Sequence, residues 1–371
     1  MTPAAPAQTQ WALIARRFAR HRLARWSLVA IVLLYGMALF AEPIAPYGAS
    51  SRDRTRIAAP PQPPAWSWTH GLHAPNLVLN RDPVSSKPVY TLDAQRPVPL
   101  GLLVRGEPYR LWGLIPWNVR LIGVDRAEWQ RRHGAALVPT VNLLGADQMG
   151  QDILSRMVHG SRVSLSIGLA AIVVTFFLGV AIGGVSGYLG GRTDAVIQRI
   201  IDVINAFPQL PMWLALAALV PAHWSPLLIY FGITVALSLL GWTGLARVVR
   251  GKFLSLREED HITAARLIGC SHARIIAVHL LPGFASHIIV SLTMAVPAMI
   301  LGETALSFLG LGLRAPVVSW GVMLQDCMSM EAVAHFPWLL APGLFIVLAV
   351  MAFNFLGDGL RDAADPYTSK A

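Results

Sequence analysis

Apolar and polar positions fall in long blocks along this chain. Residues 163–191, 203–246, 275–302 and 332–357 contain no Asp, Glu, Lys or Arg. A bilayer's hydrocarbon core is about 30 Å thick, so roughly 20 apolar residues in a helix make one crossing. Each run is long enough for one crossing, and the 44 residues of 203–246 are long enough for two. Pro221, His223 and Pro226 divide that longest run, because proline ends or kinks a helix. The expected spans therefore lie near 163–188, 203–220, 227–246, 284–303 and 337–357. Pro297 predicts a kink within 284–303, tolerable where neighbouring helices or polar side chains satisfy the freed carbonyl. A weaker first span covers 26–41 and stops at Glu42, with Ile44 to Tyr47 available to finish the crossing. Two readings of it stand. One is an uncleaved anchor over 26–47. The other is a signal peptide whose charged region holds Arg16, Arg17, Arg20, Arg22 and Arg25. The length of that charged region and the lack of a small-x-small cleavage site favour the anchor.

Composition agrees with this pattern. Of 371 residues, 54% are hydrophobic and 13% charged, whereas a soluble domain is about one quarter charged. Mean hydropathy is +0.53. The fold class implied is an all-α integral membrane protein with six transmembrane helices. The formal net charge of +10 would suggest nucleic acid in a soluble protein. Here Arg flanking membrane helices accounts for it, so the expected surroundings are membrane lipid and no nucleic acid. Six spans put both termini on one side. The segments 1–25, 189–202, 247–283 and 358–371 on that side hold fifteen Lys or Arg, and the short loops opposite hold only Arg314. Both termini are accordingly expected in the cytoplasm. The long 43–162 segment stands outside this count, since long segments cross regardless of charge. Cys270 and Cys327 fall on opposite sides and are not expected to pair.

Four regions follow: a cytoplasmic segment 1–25, the anchor 26–47, an extracytoplasmic insertion 48–145, and a transmembrane domain 146–371. The insertion is rich in proline and in tryptophan (Trp66, Trp68, Trp112, Trp117, Trp129). It is expected to be largely irregular, most of all up to about residue 75. Pro88–Leu92 and Tyr109–Ile115 read as short strands, and Ala127–Leu137 as a short helix. Its tryptophans form a docking face, build a small core, or sit at the headgroup level. Gly179, Gly183, Gly187 and Gly191 recur every four residues, which puts them on one helical stripe that lets another helix come close. Glycine is also generally frequent in membrane helices.

Catalytic motifs are missing. There is no G-x-x-x-x-G-K-[ST], no H-E-x-x-H and no G-x-S-x-G. No metal site and no catalytic residue are expected. Asp147 and Asp152 bracket Gly150; calcium is conceivable there, and helix capping by Asp147 is the simpler role. Asp202, three residues after Arg199, suggests a local ion pair. A proton-driven or sodium-driven transporter usually carries ionisable groups within its spans. The near-absence of such groups argues against the alternative, a gradient-driven secondary transporter or channel acting alone. Energy for transport is expected from outside the chain.

The segment 247–283 is too long for a tight turn. Ser255 and Glu258 have capping-box spacing, so 258–268 reads as a short helix stopped by Gly269. Ser271 is placed to cap a second helix ending near Pro282. Two short helices with a glycine hinge make a compact knob, either a partner's docking site or a solvated connection.

Within it, TAARLIGCSHARIIAVHLLP resembles the EAA loop of ABC-importer permeases: Ala264, Ala265, Gly269, Leu281 and Pro282 fall in register, with Thr263 where Glu is usual and His279 where Ile is usual. The stretches LGADQMGQDILSRMVHGSRVSL (144–165), GYLGGRTDAVIQRIIDVINAFP (187–208), ETALSFLGLGL (303–313), SWGVML (319–324) and NFLGDGLRDAADP (354–366) resemble motifs of the dipeptide/oligopeptide (peptide/nickel) branch, C-type subunit. In the first, Gln151 stands where Arg is usual. The resemblance implies a bacterial inner-membrane permease subunit built on a five-helix core plus the N-terminal anchor. It implies a homologous second permease, two cytoplasmic ATPase subunits that bind ATP and magnesium, and an extracytoplasmic solute-binding protein. No cofactor is expected on this chain. The ATPase-coupling residues it implies are Asp260, Thr263, Ala264, Ala265, Arg266, Gly269, His279, Leu281 and Pro282. Glu303 and the Gly310–Gly312 turn would lie toward the outside. Candidates for the substrate path are Asn205, Gln209, Thr293 and Met294, each of which can equally face another helix.

Overall fold

A computed structural model describes residues 10–81, 88–134, 137–221 and 223–364. The expected regions 1–25, 48–145 and 146–371 therefore lie in part outside the described residues. In chain order the helices are α1 (Gln10–Arg20), α2 (Arg22–Leu39) and α3 (Ala41–Ile44). Strands β1 (Ala65–Ser67), β2 (Gly71–Arg81), β3 (Pro88–Leu111) and β4 (Ile115–Val124) follow, then α4 (Arg126–His133). The remainder is helical: α5 (Ile153–Leu189), α6 (Gly191–Ala206), α7 (Gln209–Ala218), α8 (Pro226–Leu256), α9 (Asp260–Leu267), α10 (His272–Arg274), α11 (Ala285–Phe308), α12 (Trp320–Leu324), α13 (Met330–His335) and α14 (Ala341–Ala364).

Among the described residues, five helical stretches are long and apolar enough to cross a membrane: Arg22–Leu39, Ile153–Leu189, Pro226–Leu256, His272–Phe308 and Pro337–Ala364. A sixth forms only if α6 and α7, bent by 89°, are taken as one span. The straight span expected at 203–220 is thus replaced by an elbow. Pro208 causes it: the residue before a proline is pushed out of the α region, and Phe207 sits at φ −89°, ψ 141°. The ten residues of α7 rise only about 15 Å, too little for a crossing. The anchor begins earlier than expected, at Arg22, and its helix stops at Leu39, so Ile44 to Tyr47 do not extend it.

The chain divides into two units: Met1–Val32, Ile167–Glu303 and Leu348–Ala371 in one, and Leu33–Ser166 and Thr304–Val347 in the other. In the first unit, α5 lies against α8 along the glycine stripe. A Cβ on Gly179 would stand 2.8 Å from the Leu245 side chain, and one on Gly187 would stand 2.7 Å from the Arg250 carbonyl. One on Gly183 would overlap the Ala246 carbonyl oxygen. Only hydrogen at these positions lets the backbones approach so closely. Gly191, by contrast, lies past the end of α5 at φ +57° with nothing within 4 Å. α6 is tied to α8 by two ion pairs spaced eight residues apart. Arg250 grips Asp194 through both carboxylate oxygens, the second at 2.6 Å, and Arg247 meets Asp202 at 2.6 Å. Asp202 therefore pairs across helices with Arg247, in place of the local partner Arg199 that its spacing suggested.

In the second unit, the segment expected to be irregular holds a four-stranded antiparallel sheet in the order β1-β2-β3-β4. β3 is 24 residues long; its first half pairs with β2 and its second with β4. Of the expected strand Tyr109–Ile115, Tyr109–Leu111 ends β3 and Ile115 opens β4, and Trp112–Leu114 between them is the hairpin turn. Ala74, Val98, Leu100, Trp129 and Val141 form its small core. Of the insertion's tryptophans, Trp129 alone is buried. Arg120 is also buried and donates to the carbonyls of Glu42 (2.9 Å) and Ala45 (2.7 Å), which fastens β4 to α3. Arg162 holds Glu42 through two bonds of 2.8 Å and joins α5 to the end of the anchor. The helix cap of α5 comes from Asp152: its carboxylate accepts from the Ser155 N–H (2.8 Å) and hydroxyl (2.6 Å). Asp147, expected as the cap, instead closes the preceding turn, accepting from the N–H groups of Met149 and Gln151 and pairing with Arg156. Burial pushes the Asp152 carboxyl above its ordinary range despite these bonds. Cys270 and Cys327 are free thiols.

Three substitutions test these contacts. Gly183→Val should lower the thermal midpoint of the detergent-solubilised chain by several degrees, since overpacking costs about 1–3 kcal/mol. Gly244→Ala, with nothing within 4 Å, should leave it equal or slightly higher. Arg120→Leu should expose the 43–162 segment to limited proteolysis, because each buried bond to a charged donor contributes about 1.5–3 kcal/mol.

Candidate functional site

The segment between α8 and α11 forms the knob that the sequence indicated, with different boundaries. Ser255 lies inside the last turn of α8, so the expected capping box does not form. α9 starts instead at Asp260 after Glu259, which gives no side-chain cap. Its end follows the chemistry of Gly269 closely. Gly269 takes φ +81°; its N–H donates to the Arg266 carbonyl (3.0 Å), and the Cys270 N–H donates to the Ala265 carbonyl (3.1 Å). These two bonds are the Schellman pattern, which needs a left-handed residue that glycine adopts without steric cost. Ser271 then caps α10, accepting from the Arg274 N–H at 3.4 Å.

The second helix does not end near Pro282. His272–Phe308 is one continuous helical stretch, with wide π-type turns over Ile275–Leu280 and a tight 3-10 turn over Leu281–Phe284. A proline in a regular α-helix would lack a donor and press its ring on the carbonyl four residues back. The change of winding before Pro282 accommodates it and lets the knob run into the membrane helix without a break.

α9 has two faces. Ile262 and Ala265 are buried in a cluster with Tyr188, Leu245, Val249, Phe253, Ile275, Leu280 and Phe284. Asp260, Thr263, Ala264 and Arg266 are exposed, and at the end of the helix Leu267 and Ile268 are 83% and 80% exposed. Ala264 and Ala265, adjacent in the motif, thus face opposite ways: Ala265 seats the helix and Ala264 is on the open side. His279 is half-buried in the π-type turns, beside Leu281 and exposed Pro282.

Tyr188, at the end of α5, pins both short helices. The Arg266 guanidinium sits 5.0 Å over its ring, and its hydroxyl lies 3.4 Å from Arg266 Nε and 3.1 Å from His272 Nδ1. Arg257 donates to the Gly187 carbonyl one residue earlier, at 3.4 Å. Sequence reasoning missed Tyr188, Ile262 and Phe253 as parts of this site. The period of α9 signals Ile262, one turn before Ala265, but nothing local marks Tyr188, 78 residues away from Arg266 in sequence.

The path candidates are scattered. Asn205 and Gln209 are exposed on either side of the α6–α7 elbow, and Asn205 accepts a bond from Thr243 on α8 at 3.1 Å. Thr293 returns its hydroxyl to the Ile289 carbonyl in its own helix, at 2.8 Å. Met294 packs against α14, where a Cβ on Gly357 would stand 2.6 Å from its Cγ. Glu303 is fully buried.

Residues 179–370 match the family of binding-protein-dependent transport system inner membrane components. Residues 9–64 match the N-terminal TM domain of oligopeptide transport permease C. The dipeptide transport system permease protein DppC of Bacillus subtilis (strain 168) is 42% identical over 222 residues, 60% of this chain and 68% of its own. The oligopeptide transport system permease protein OppC of Escherichia coli (strain K12) is 39% identical over 243 residues, 65% and 78% of the two chains. The glutathione transport system permease protein GsiD of Pectobacterium atrosepticum is 38% identical over 223 residues, 60% and 72%. A solved inward-facing structure of the MetNI methionine ABC transporter is similar over 58% of this chain and 99% of its own, with a TM-score of 0.47 and 15% identity. With one family model spanning more than half of the chain and relatives about 40% identical to it, the chain belongs to the binding-protein-dependent transport system permeases, multi-pass proteins of the inner membrane, in the dipeptide/oligopeptide permease C branch of ABC importers.

Proposed function

We propose that this chain forms half of the translocation path of an ATP-driven peptide importer and takes its energy through α9. A homologous permease supplies the other half. Two cytoplasmic ATPase subunits bind ATP and magnesium and grip the 247–283 loop of each permease. A solute-binding protein on the outer side delivers the cargo. The reading of a peptide cargo rests on the relatives named for dipeptide and oligopeptide transport. Both termini and the loop lie in the cytoplasm on this reading, supported by the asymmetry of Lys and Arg.

The observation that carries the reading is the two-faced seating of α9. Its inner face is locked to α8 and to the stretch leading into α11 through Ile262 and Ala265. Its outer end offers Leu267 and Ile268 to a partner, an exposed apolar pair of the kind that marks a protein contact. A force applied at that end would reach the membrane helices without dissipating in a flexible linker. Closure of the ATPases would then draw the loops together, and the helices would turn as rigid bodies between inward-open and outward-open states.

Replacing Leu267 and Ile268 together by Glu should leave the chain's thermal midpoint unchanged and cut ATP-dependent peptide uptake in vesicles at least tenfold. Unaltered uptake would refute the coupling role. Ala265→Leu should instead destabilise the chain itself by about 1–3 kcal/mol, read as a lower midpoint. For sidedness, Thr263→Cys should react with a membrane-impermeant maleimide in inverted vesicles and not in intact cells; the opposite pattern overturns the topology.

A further inference from the structure

Nothing in the permease reading accounts for the turn between β3 and β4. Beside Trp112 it carries apolar side chains that stand largely exposed. Leu114 at the tip is 79% exposed, and Ile115, Trp117 and Leu121 are exposed at alternating positions of β4. Strand side chains alternate between faces, so these three share the face opposite Arg120, which is buried against α3. A contiguous exposed apolar patch of this kind marks an interaction surface.

What covers it follows from where the turn is tied. Trp112 Nε1 donates to the Leu39 carbonyl at 2.8 Å, and the Trp112 ring lies 5.8 Å from that of Phe40. Leu39 is the last residue of the anchor helix, and the last carbonyls of a helix have no partner within it. The tip is therefore held level with the end of a membrane-crossing helix, at the edge of the hydrocarbon core. Trp112 takes φ +53° to reach this position, beside Gly113 at φ +75°. A bulky residue seldom adopts that region, and the bond to Leu39 gives it a reason here. Leu39 and Phe40, which Trp112 touches, are exposed as well, and on a membrane-crossing α2 they would face lipid. Tryptophan suits this depth, where an apolar ring meets a polar boundary. Exposed Arg110, two residues before Trp112, adds a cation able to meet lipid phosphate.

We infer that the β3–β4 turn is a lipid-interface foot: Leu114, Ile115 and Trp117 enter the bilayer boundary beside the end of α2, and Arg110 sits among the headgroups. The foot rests on the reading of α2 as a membrane span. It fixes the long insertion against the membrane surface at a second point, apart from its covalent connections.

The test uses the full chain, with Cys270 and Cys327 replaced by Ser, reconstituted in phosphatidylcholine vesicles. An environment-sensitive fluorophore is attached at Leu114→Cys, at Leu33→Cys on α2, or at Trp68→Cys, which is 97% exposed in the native chain and lies at the far edge of the sheet. Lipid bearing a spin label near the top of its acyl chain should quench the probes at 114 and 33 at least twofold. It should leave the probe at 68 unaffected, and the probe at 114 should emit to the blue of that at 68. Quenching at 33 with none at 114 overturns the foot while leaving the span intact. A probe at 114 shielded from aqueous iodide yet insensitive to labelled lipid also overturns it and assigns the patch to a protein. Absence of quenching at both 33 and 114 refutes the span, and the foot with it.

Discussion

Helix α5 can lie against α8 only where side chains are missing. In lipid there is no hydrophobic gain from bringing two apolar helices together, because lipid tails are as apolar as the helices themselves. Association rests on close contact and on polar bonds. Gly179, Gly183 and Gly187 allow that contact, and just past α5 the Asp194 carboxylate on α6 binds Arg250 of α8. The loop that follows α8 takes its position from this seam. The knob around α9 begins four residues after α8 ends, and its core contains Leu245, Val249 and Phe253 from α8 itself.

That seam explains how a short helix is held firmly enough to transmit force. Eight residues form an unstable helix in isolation. α9 is stabilised by Ile262 and Ala265 beneath it and by the Schellman turn at Gly269. It is also bound through Arg266 stacked on Tyr188. Tyr188 is the last but one residue of α5, so α5, α8 and the start of the His272–Phe308 helix all meet at the knob. A rigid connection to three helices is what a part moved from outside requires.

The second unit solves a different problem. Its sheet is small, and several core positions are shared with polar groups. Arg120 and Asp152 are buried, and each is matched by carbonyl or hydroxyl partners. A buried charge is tolerable only with such partners. These bonds, and Arg162 on Glu42, join the sheet to α3 and to the start of α5. The apolar turn at Trp112–Leu114 is left facing outward, level with the end of α2.

Much of this was legible in the residues. Charge-free runs marked the crossings because charges are costly in hydrocarbon, and Gly269 marked the end of α9 because few other residues adopt a positive φ without strain. Four-residue spacing marked the face of α5 that α8 covers. Where the answer depended on a distant partner, local pattern misled: Arg199 is near Asp202 in sequence, but Arg247 is near it in space. Asp147 and Asp152 have the same chemistry, and which one capped α5 was decided by which lay beside Ser155 and which beside Arg156. The insertion's strands were hidden by prolines that fell on a long, bulged β3, whose pairing changes partner midway. Sequence alone determined which segments are apolar enough for the bilayer and, at Gly269, where the backbone must turn, since both are set residue by residue. Only the tertiary structure decided which side of α9 is open and that Ala265 faces in while Ala264 faces out, because that choice depends on Tyr188 and Phe253, brought there by helices folded elsewhere in the chain.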